Sequence, residues 1–332
     1  MSATTGPRPA ALRPAVLLGV GAHRPAVRAD NLAVAERTSS SDSWIRERSG
    51  IVTRGVAGAD ESVVTMAVEA GGKALAGAGV DPASVDLVLL ASCSMPGPLP
   101  GGSPEVAALL GAPTAGAMDV GAGCAGFTYA LSVAADAVRA GSADTVLVVG
   151  SEKLLPMVDP DDRGTAFLFG DGAGAAVVGL GTSNGTGDGT SDGIGPVVWR
   201  HDGAQAAALT ISGNPLRLAM DGRAIYRWAT TTLPGLAREA CAKAGIDVSE
   251  LAAFVPHQAN LRITESVARQ LHLPPSVVIA RDVVDSANTS AASVPLALAR
   301  LLETGQVHRG DQVLLLGFGA GLTAAGQVVQ CP

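Results

Sequence analysis

The chain has 332 residues, of which 47% are hydrophobic, 16% are charged and 3% are aromatic, and it contains 42 glycines. This composition is typical of a globular α/β protein and excludes a disordered or fibrous chain. The formal net charge of −7 argues against a nucleic-acid-binding surface, so any anionic partner would need a local basic patch. No uninterrupted apolar run of about 18 residues occurs, so we expect no membrane-spanning helix.

The first part of the chain predicts alternating strands and helices. Strands are expected at 15–20, 85–91 and 145–150, and helices around Trp44, at 61–78 and at 104–110. The Gly-Asp-Gly sequence at 170–172 lies between two apolar runs and predicts a hairpin over Ala166–Val178. The segment 15–20 is too short for a signal-peptide core and is expected to be the first strand.

The second part of the chain repeats this outline. A strand is expected at 251–257, a helix at 260–271, a helix opening after Asn288, and a strand with a glycine turn at 312–322. We therefore predict two similar halves, residues 1–180 and 197–332, joined by a Gly-rich linker or surface loop at 181–196. Equivalent loops of two such halves should converge on one site.

The stretch Met118–Ala130 reads as the end of a strand, a glycine-dense turn and the start of a helix, with Cys124 at the turn. A helix from Cys124 to about Arg139 would direct its unpaired N–H groups and its dipole at the sulfur. A free cysteine titrates near about 8.5, and a helix N-terminus can lower this value. We therefore expect a thiolate nucleophile.

Two other interpretations of this stretch stay open at this point. The residues Gly121, Gly123 and Gly126 satisfy the G-x-G-x-x-G pattern of a dinucleotide-binding loop, and Glu152 ends the next strand. Cys124 can equally be an ordinary buried cysteine. Cysteines 93, 124, 241 and 331 show no C-x-x-C spacing, so we expect neither zinc nor disulfides and a cytoplasmic location.

His257 and Asn288 follow expected strands or turns of the second half and have side chains suited to work beside a thiol. His257 can be a base or a hydrogen-bond donor, and Asn288 offers a neutral amide N–H for an oxyanion or enolate. Backbone N–H groups of Cys124 and of the turn 319–321 can form an oxyanion hole. Each residue also has a structural interpretation, because His257 can be a core histidine and Asn288 an N-cap.

Five segments resemble the 3-oxoacyl-[acyl-carrier-protein] synthase III family, the FabH-type ketosynthases of the thiolase superfamily. They are Asp119-Val-Gly-Ala-Gly-Cys-Ala-Gly-Phe127, Phe169-Gly-Asp-Gly-Ala-Gly-Ala-Ala176, Pro256-His-Gln-Ala-Asn-Leu-Arg262, Asn288-Thr-Ser-Ala-Ala-Ser293 and Gly317-Phe-Gly-Ala-Gly321. The likeness runs in order from about residue 15 to residue 329. It implies a duplicated, five-layered α-β-α-β-α thiolase fold and a homodimer.

By this resemblance, Cys124 accepts an acyl group from acyl-CoA, and His257 and Asn288 hold the thioester carbonyl of malonyl-acyl carrier protein (malonyl-ACP) during decarboxylation. Backbone N–H groups of Cys124 and Ala320 would form the oxyanion hole. The resemblance implies no metal and no bound cofactor, and no nucleic-acid or membrane partner. The product would be a 3-oxoacyl-ACP.

The resemblance also implies substrate contacts outside the group Cys124, His257, Asn288 and Ala320. The substrate contacts that it implies are Trp44, Arg48, Leu99, Arg163, Phe169, Arg262 and Phe318. The duplicated architecture is expected to place five arginines around the mouth of the site as a basic rim, with Arg262 and Arg269 as the carrier-protein contacts. The rim consists of Arg46, Arg48, Arg163, Arg262 and Arg269.

Three residues depart from the family pattern. Arg223 replaces an asparagine, Ala287 stands where glycine usually precedes the active-site asparagine, and Ala320 stands where glycine is common. Because of these changes, the sequence does not predict which acyl-CoA is the primer. A related acyltransferase or starter-loading enzyme of polyketide or other secondary metabolism is the first alternative function, and a dinucleotide-dependent oxidoreductase is a distant one.

Overall fold

The computed structural model describes residues 12–181 and 193–332. The strands and helices of the first range are β1 (Ala15–His23), β2 (Arg28–Asp30), α1 (Leu32–Arg37), α2 (Asp42–Ser49), β3 (Thr53–Gly55), α3 (Val63–Ala78), β4 (Leu87–Ala91), α4 (Ser103–Leu110), β5 (Gly116–Val120), α5 (Gly126–Ala140), β6 (Thr145–Glu152) and β7 (Gly172–Leu180). The strands and helices predicted before residue 151 are confirmed to within a few residues.

The second range carries the remaining elements. They are β8 (Val198–His201), β9 (Leu209–Ser212), β10 (Arg217–Met220), α6 (Gly222–Lys243), β11 (Ala253–Pro256), α7 (Leu261–Leu271), β12 (Val278–Ile279), α8 (Val283–Ser286), α9 (Ser293–Glu303), β13 (Gln312–Gly319) and β14 (Thr323–Gln330). None of the helices in the described ranges combines the length and apolarity that crossing a bilayer requires.

Two five-stranded sheets of the same topology form the frame of the molecule. The first has the order β1, β7, β6, β4, β5, and the second has the order β8, β14, β13, β11, β12. In each, the last three strands are parallel and the remaining pairs are antiparallel. The sheets match strand for strand, as the predicted duplication requires. Most of the predicted linker lies outside the described residues, and the domain limits stay a prediction.

Alternating residues of the central strands face different layers. In β6, Val146 and Val148 belong to a core that includes α5 and α9, whereas Leu147 and Val149 belong to one that includes α3. Strand β13 alternates in the same way between the central core and a core formed with α6 and α7. Because strand side chains alternate between faces, each sheet has helices on both sides. The predicted five-layered α-β-α-β-α architecture is confirmed.

The predicted hairpin over Ala166–Val178 is wrong. Only its second apolar run is a strand, β7, whereas residues 166–168 form a turn. The backbone N–H of Asn288 donates to Leu168 O (2.9 Å), and that of Gly170 donates to Asn288 O (3.1 Å). The buried Arg54 donates to two further carbonyls of the segment at 2.7 and 3.1 Å. The first apolar run therefore pairs with the second half of the chain beside Asn288.

Candidate active site

Cys124 lies between the end of β5 and the start of α5. It occupies a 3-10 turn, Gly123–Ala125, and only 6% of its surface is exposed. The end of β13 passes very close to it, since a Cβ atom placed on Gly319 would lie 2.8 Å from the Cβ of Cys124. A glycine at 319 therefore allows the second half of the chain to reach the cysteine.

The surroundings of Cys124 do not favour the expected thiolate form. Burial raises the pKa of Cys124 to about 12, and Glu152 acts in the same direction, while contact with the Ser290 side chain lowers the pKa. Loss of solvation by water disfavours the charged form more strongly than nearby N–H groups favour it. Cys124 is therefore a thiol at neutral pH and must lose its proton to act as a nucleophile.

An apolar pocket of about 210 Å³ opens beside Cys124. Phe169, a predicted substrate contact, lines this pocket. The hairpin of β9 and β10 contributes three apolar side chains to the wall, those of Leu209, Ile211 and Leu218. This hairpin is not among the predicted elements, although the sequence Gly213-Asn-Pro215 between two runs rich in apolar residues is a turn signal.

His257 is buried in the second half, at the end of β11. Its Nδ1 atom lies 2.6 Å from Ser293 Oγ, and its ring meets Phe318 edge-on at a centroid distance of 5.0 Å. Burial lowers the pKa of His257 to about 3, so the ring is neutral at neutral pH. Ser293 Oγ also accepts the Gln258 N–H (3.3 Å). The Ser293 hydroxyl can donate its own proton to Nδ1, and with that assignment the ring N–H of His257 is on Nε2.

The amide of Asn288 has a defined orientation. Its Oδ1 atom accepts the backbone N–H of Ser290 at 2.8 Å. Because an N–H group can only donate, the oxygen must face Ser290 and the NH₂ group must face away from it. Asn288 is 6% exposed and lines a large outer cavity. Its side chain closes a local turn, as the structural interpretation expects, and still offers two N–H donors.

Ala287 has an unusual backbone conformation, with φ 57° and ψ −162°. This region is populated almost only by glycine, and another residue there costs on the order of 1–3 kcal/mol. The alanine is fully buried and precedes Asn288 directly. Packing of the turn therefore holds Asn288 in place at the expense of backbone strain.

Ala320, the second predicted oxyanion-hole residue, lies opposite the turn that carries Cys124. A Cβ atom placed on Gly123 would lie 3.2 Å from the Cβ and 3.4 Å from the N of Ala320. Cys124 and Ala320 also line the same pocket. The two residues are thus brought together, and the role of their N–H groups stays a prediction.

The outer cavity that Asn288 lines has a volume of about 1010 Å³ and a basic margin. Its arginines, all exposed, are Arg48, Arg223, Arg227 and Arg262. The guanidinium of Arg262 lies 5.9 Å from the ring centroid of Tyr226. Arg223, which departs from the family pattern, thus replaces a neutral amide with a cation on this cavity.

The other predicted surface residues line the same cavity or two pockets that share Arg262 with it. The Arg163 guanidinium lies 4.9 Å from the ring centroid of Trp44, and Trp44 shares a pocket with Arg48 and Arg262. Arg262 also lines a further pocket together with Arg46 and Arg269. One predicted substrate contact is not brought to the site within the chain, since Leu99 is 87% exposed.

The geometry argues against the dinucleotide-binding interpretation. Glu152, the acid expected to meet a ribose, is completely buried and accepts hydrogen bonds from the Ser92–Ser94 segment. It cannot reach a nucleotide at the surface. The described ranges also contain no group of three or more His, Cys, Asp or Glu side chains that could hold a metal ion.

Two family models match the chain. The model described as 3-oxoacyl-[acyl-carrier-protein] synthase III matches residues 118–203, and the model of its C-terminal part matches residues 241–331. A curated relative is the β-ketoacyl-[acyl-carrier-protein] synthase III 4 of Streptomyces coelicolor, which is 49% identical over 95% of this chain and 98% of its own length. The mycobacterial β-ketoacyl-[acyl-carrier-protein] synthase III of Mycobacterium avium is 44% identical over 100% of this chain and 98% of its own.

Solved structures give the same result. The priming β-ketosynthase of a polyketide biosynthetic pathway superposes with a TM-score of 0.93 and 43% identity, covering 98% of this chain and 99% of that one. The 3-oxoacyl-(acyl carrier protein) synthase III of Pseudomonas aeruginosa has a TM-score of 0.89 and 36% identity, with coverages of 96% and 99%. The chain therefore belongs to the 3-oxoacyl-[acyl-carrier-protein] synthase III family and is a condensing acyltransferase of thiolase fold.

Proposed function

We propose that the chain catalyses the decarboxylative condensation of an acyl-CoA primer with malonyl-ACP and releases a 3-oxoacyl-ACP. One observation carries this proposal: a buried thiol opens on an apolar pocket, and a neutral amide donor, two residues before Ser290 of that pocket, lies on a second, larger cavity. The small pocket suits the acyl chain of a primer. The large cavity, with its arginines, suits the extended pantetheine arm and phosphates of CoA or a carrier protein.

In the first half-reaction, the sulfur of Cys124 attacks the thioester carbonyl of acyl-CoA. The carbonyl oxygen becomes an oxyanion, for which the N–H groups of Cys124 and Ala320 are the proposed donors. Collapse of the tetrahedral intermediate releases CoA and leaves the acyl group on Cys124. Forming a covalent intermediate divides one difficult transfer into two easier steps.

In the second half-reaction, malonyl-ACP loses CO₂ and becomes an enolate whose carbon attacks the acyl-Cys124 carbonyl. Collapse of the tetrahedral intermediate breaks the bond between that carbonyl carbon and the Cys124 sulfur, which leaves as a thiolate and takes up a proton, and the 3-oxoacyl-ACP is released. The NH₂ group of Asn288 and the Nε2–H of His257 are the proposed donors to the enolate oxygen. Both groups are neutral at neutral pH, so they stabilise the developing charge without first losing or gaining a proton. The proposed reaction needs no metal and no bound cofactor.

Starter-unit loading for polyketide biosynthesis is the second candidate. The high structural similarity to a priming β-ketosynthase of such a pathway favours it. Both candidates form the same acyl-enzyme and differ in what receives the acyl group.

Intact-mass analysis after incubation with a panel of acyl-CoAs, followed by malonyl-ACP, tests the proposal. Release of the acyl group into a 3-oxoacyl-ACP supports condensation, whereas a stable acyl-enzyme contradicts it.

Binding of two anionic substrates by a protein of net charge −7 requires a local basic surface. We propose that Arg46, Arg48, Arg163, Arg262 and Arg269 form this surface. Exposed charges of this kind mainly accelerate association, and salt screens them over about 8–10 Å. Arg262 is central among them, since it lines three of the neighbouring pockets.

Replacement of Arg262 by glutamate is expected to raise the KM for malonyl-ACP several-fold and to weaken its salt dependence. Acylation by a saturating primer should change little, because Arg262 does not line the pocket of Cys124. Steady-state kinetics at two ionic strengths measure both effects. The exposed Arg309 lies just before β13, at the end of that strand remote from the site, so Arg309→Glu is a control of equal charge. Identical kinetics for the two variants would remove Arg262 from the carrier-protein surface.

A homodimer and a cytoplasmic location stay predictions. Strand β5 is an outer strand of the first sheet, and Met118 on it is 45% exposed. An exposed sheet edge can pair with the same edge of a second copy. Leu99, at 87% exposure, would then be available to contact a partner subunit. Sedimentation velocity at micromolar concentration checks the dimer, and a monomer would contradict it.

A further inference from the structure

Gln258 directly follows His257 after the end of β11 and is completely buried. Its side-chain oxygen Oε1 accepts the backbone N–H of Val283 at 3.0 Å. Its Nε2 donates to Pro256 O at 2.6 Å and to Ala280 O at 3.3 Å. Because only the NH₂ group can face two carbonyls and only the oxygen can face an N–H, the amide fits in one orientation.

Val283 begins α8, the short helix that precedes Ala287 and Asn288. The backbone N–H of Ala287 donates to Val283 O at 3.0 Å. Val283 and Ala287 also pack with Ile51 in a small buried core. The side chain of Gln258 therefore holds the helix whose end leads directly into the turn of Asn288.

Ser293 lies on the other side of that turn, as the first residue of α9. Its hydroxyl lies 2.6 Å from His257 Nδ1 and accepts the backbone N–H of Gln258 at 3.3 Å. The dipeptide His257-Gln258 is thus hydrogen-bonded to one residue before Asn288 and to one residue after it. His257 and Asn288 come from different segments of the chain, and these contacts join the two segments.

Two donors that serve one enolate oxygen must keep a fixed position relative to each other. Hydrogen bonds weaken steeply as they bend, and a misplacement of about 1 Å can lower a rate by about 10²-fold. Ala287 makes the position of Asn288 more demanding, because its backbone conformation (φ 57°) persists only where surrounding contacts hold it. Gln258 supplies such a contact, and it lines neither the acyl pocket nor the outer cavity.

We propose that Gln258 is a positioning residue that aligns the Asn288 amide with the Nε2–H of His257 for decarboxylation, an inference that rests on the proposed function. Its amide acts by holding Val283, and through Val283 it holds the turn that carries Asn288. Acylation of Cys124 takes place at the other pocket and uses neither of these donors, so it does not depend on this alignment.

Replacement of Gln258 by methionine tests the proposal, since methionine is similar in size and has a weakly polar thioether in place of the amide. We expect kcat for decarboxylation of malonyl-ACP to fall between about tenfold and 10²-fold, with little change in KM. The rate of acylation should stay at the wild-type value. Release of CO₂ from labelled malonyl-ACP and rapid-quench intact-mass measurement of the acyl-Cys124 adduct provide the two rates.

A double-mutant cycle with Asn288→Ala separates positioning from general support of the fold. A residue that acts through Asn288 has no further effect once that amide is removed, so the double variant should decarboxylate at the rate of Asn288→Ala alone. A residue that only supports the fold would lower both half-reactions together, and its effect would multiply with that of Asn288→Ala. Either of these results, or a wild-type rate in Gln258→Met, would overturn the proposal.

Gln327 is the matched control, because it is a second buried glutamine, on β14. Within the described ranges its amide nitrogen has no hydrogen-bond partner. Gln327→Met should therefore keep both half-reactions at the wild-type rate.

Circular dichroism establishes that each variant is folded. Gln258→Asn is the second variant if Gln258→Met does not fold, since one methylene less takes the amide out of reach of Val283, and the same results are expected of it. A wild-type protein that forms the acyl adduct and releases no CO₂ would contradict the proposed function. Wild-type activity with unaltered Gln258 variants would contradict only the positioning role.

Discussion

Replacement of Cys124 by alanine is expected to abolish acylation by acyl-CoA, with no added acyl mass on the protein. Cys124 is the cysteine placed between the acyl pocket and the convergent turns of the two halves. Loss of a covalent nucleophile reduces turnover by roughly 10⁶-fold. Intact-mass analysis with peptide mapping measures the adduct, and a coupled assay with malonyl-ACP measures turnover.

Cys93 makes this experiment discriminating, because it is a second thiol lining the same pocket. A Cys93→Ala variant should still take up one acyl group. Acyl label on Cys93 or on Cys241 in the wild-type protein would contradict the assignment of the nucleophile.

Added NAD or NADP should leave the reaction unaffected, and saturable micromolar binding of either would support the oxidoreductase alternative instead.

Replacement of Asn288 by alanine is expected to separate the two half-reactions. The variant should still accept an acyl group on Cys124, because Asn288 lines the outer cavity and not the acyl pocket. Decarboxylation of malonyl-ACP should fall roughly 10²–10³-fold, the usual effect of removing one oxyanion donor. Release of CO₂ from labelled malonyl-ACP, measured beside the acyl adduct, tests both expectations.

An aspartate at the same position refines the test. Asn288→Asp keeps an oxygen for the Ser290 N–H and removes the NH₂ donors, so it isolates donation from local folding. Both variants should lose decarboxylation if donation matters. Condensation at a near wild-type rate in Asn288→Ala would show that the amide has another role.

The sequence allowed the approach of the Cys124 turn to the turn at Ala320 to be predicted because the two halves repeat the same order of strands and turns. Periodicity and glycine turns are local signals, and they located β4, β6 and α3 well. The pairing of residues 166–170 with Asn288 was missed because it joins segments over a hundred residues apart. An apolar run with a Gly-Asp-Gly turn looks the same whether it pairs locally or across the molecule.

The ionisation of Cys124 was wrongly predicted for a related reason. The helix start after the turn is visible in the sequence, but the pKa depends on how much water the surrounding layers exclude. That quantity arises only when both sheets and the β9–β10 hairpin are assembled. The burial of Glu152 was equally invisible in the sequence, because its donors come from the segment 92–94 and from the distant Ala291.

The strained conformation of Ala287 predicts how the protein loses activity on heating. Folded domains are typically stable by only about 5–15 kcal/mol, so strain of about 1–3 kcal/mol at one residue is a substantial local weakness. The turn 286–289 can release that strain by a small rearrangement that leaves both sheets intact. Heat inactivation is therefore expected to precede global unfolding, with Asn288 losing its alignment while the five layers persist.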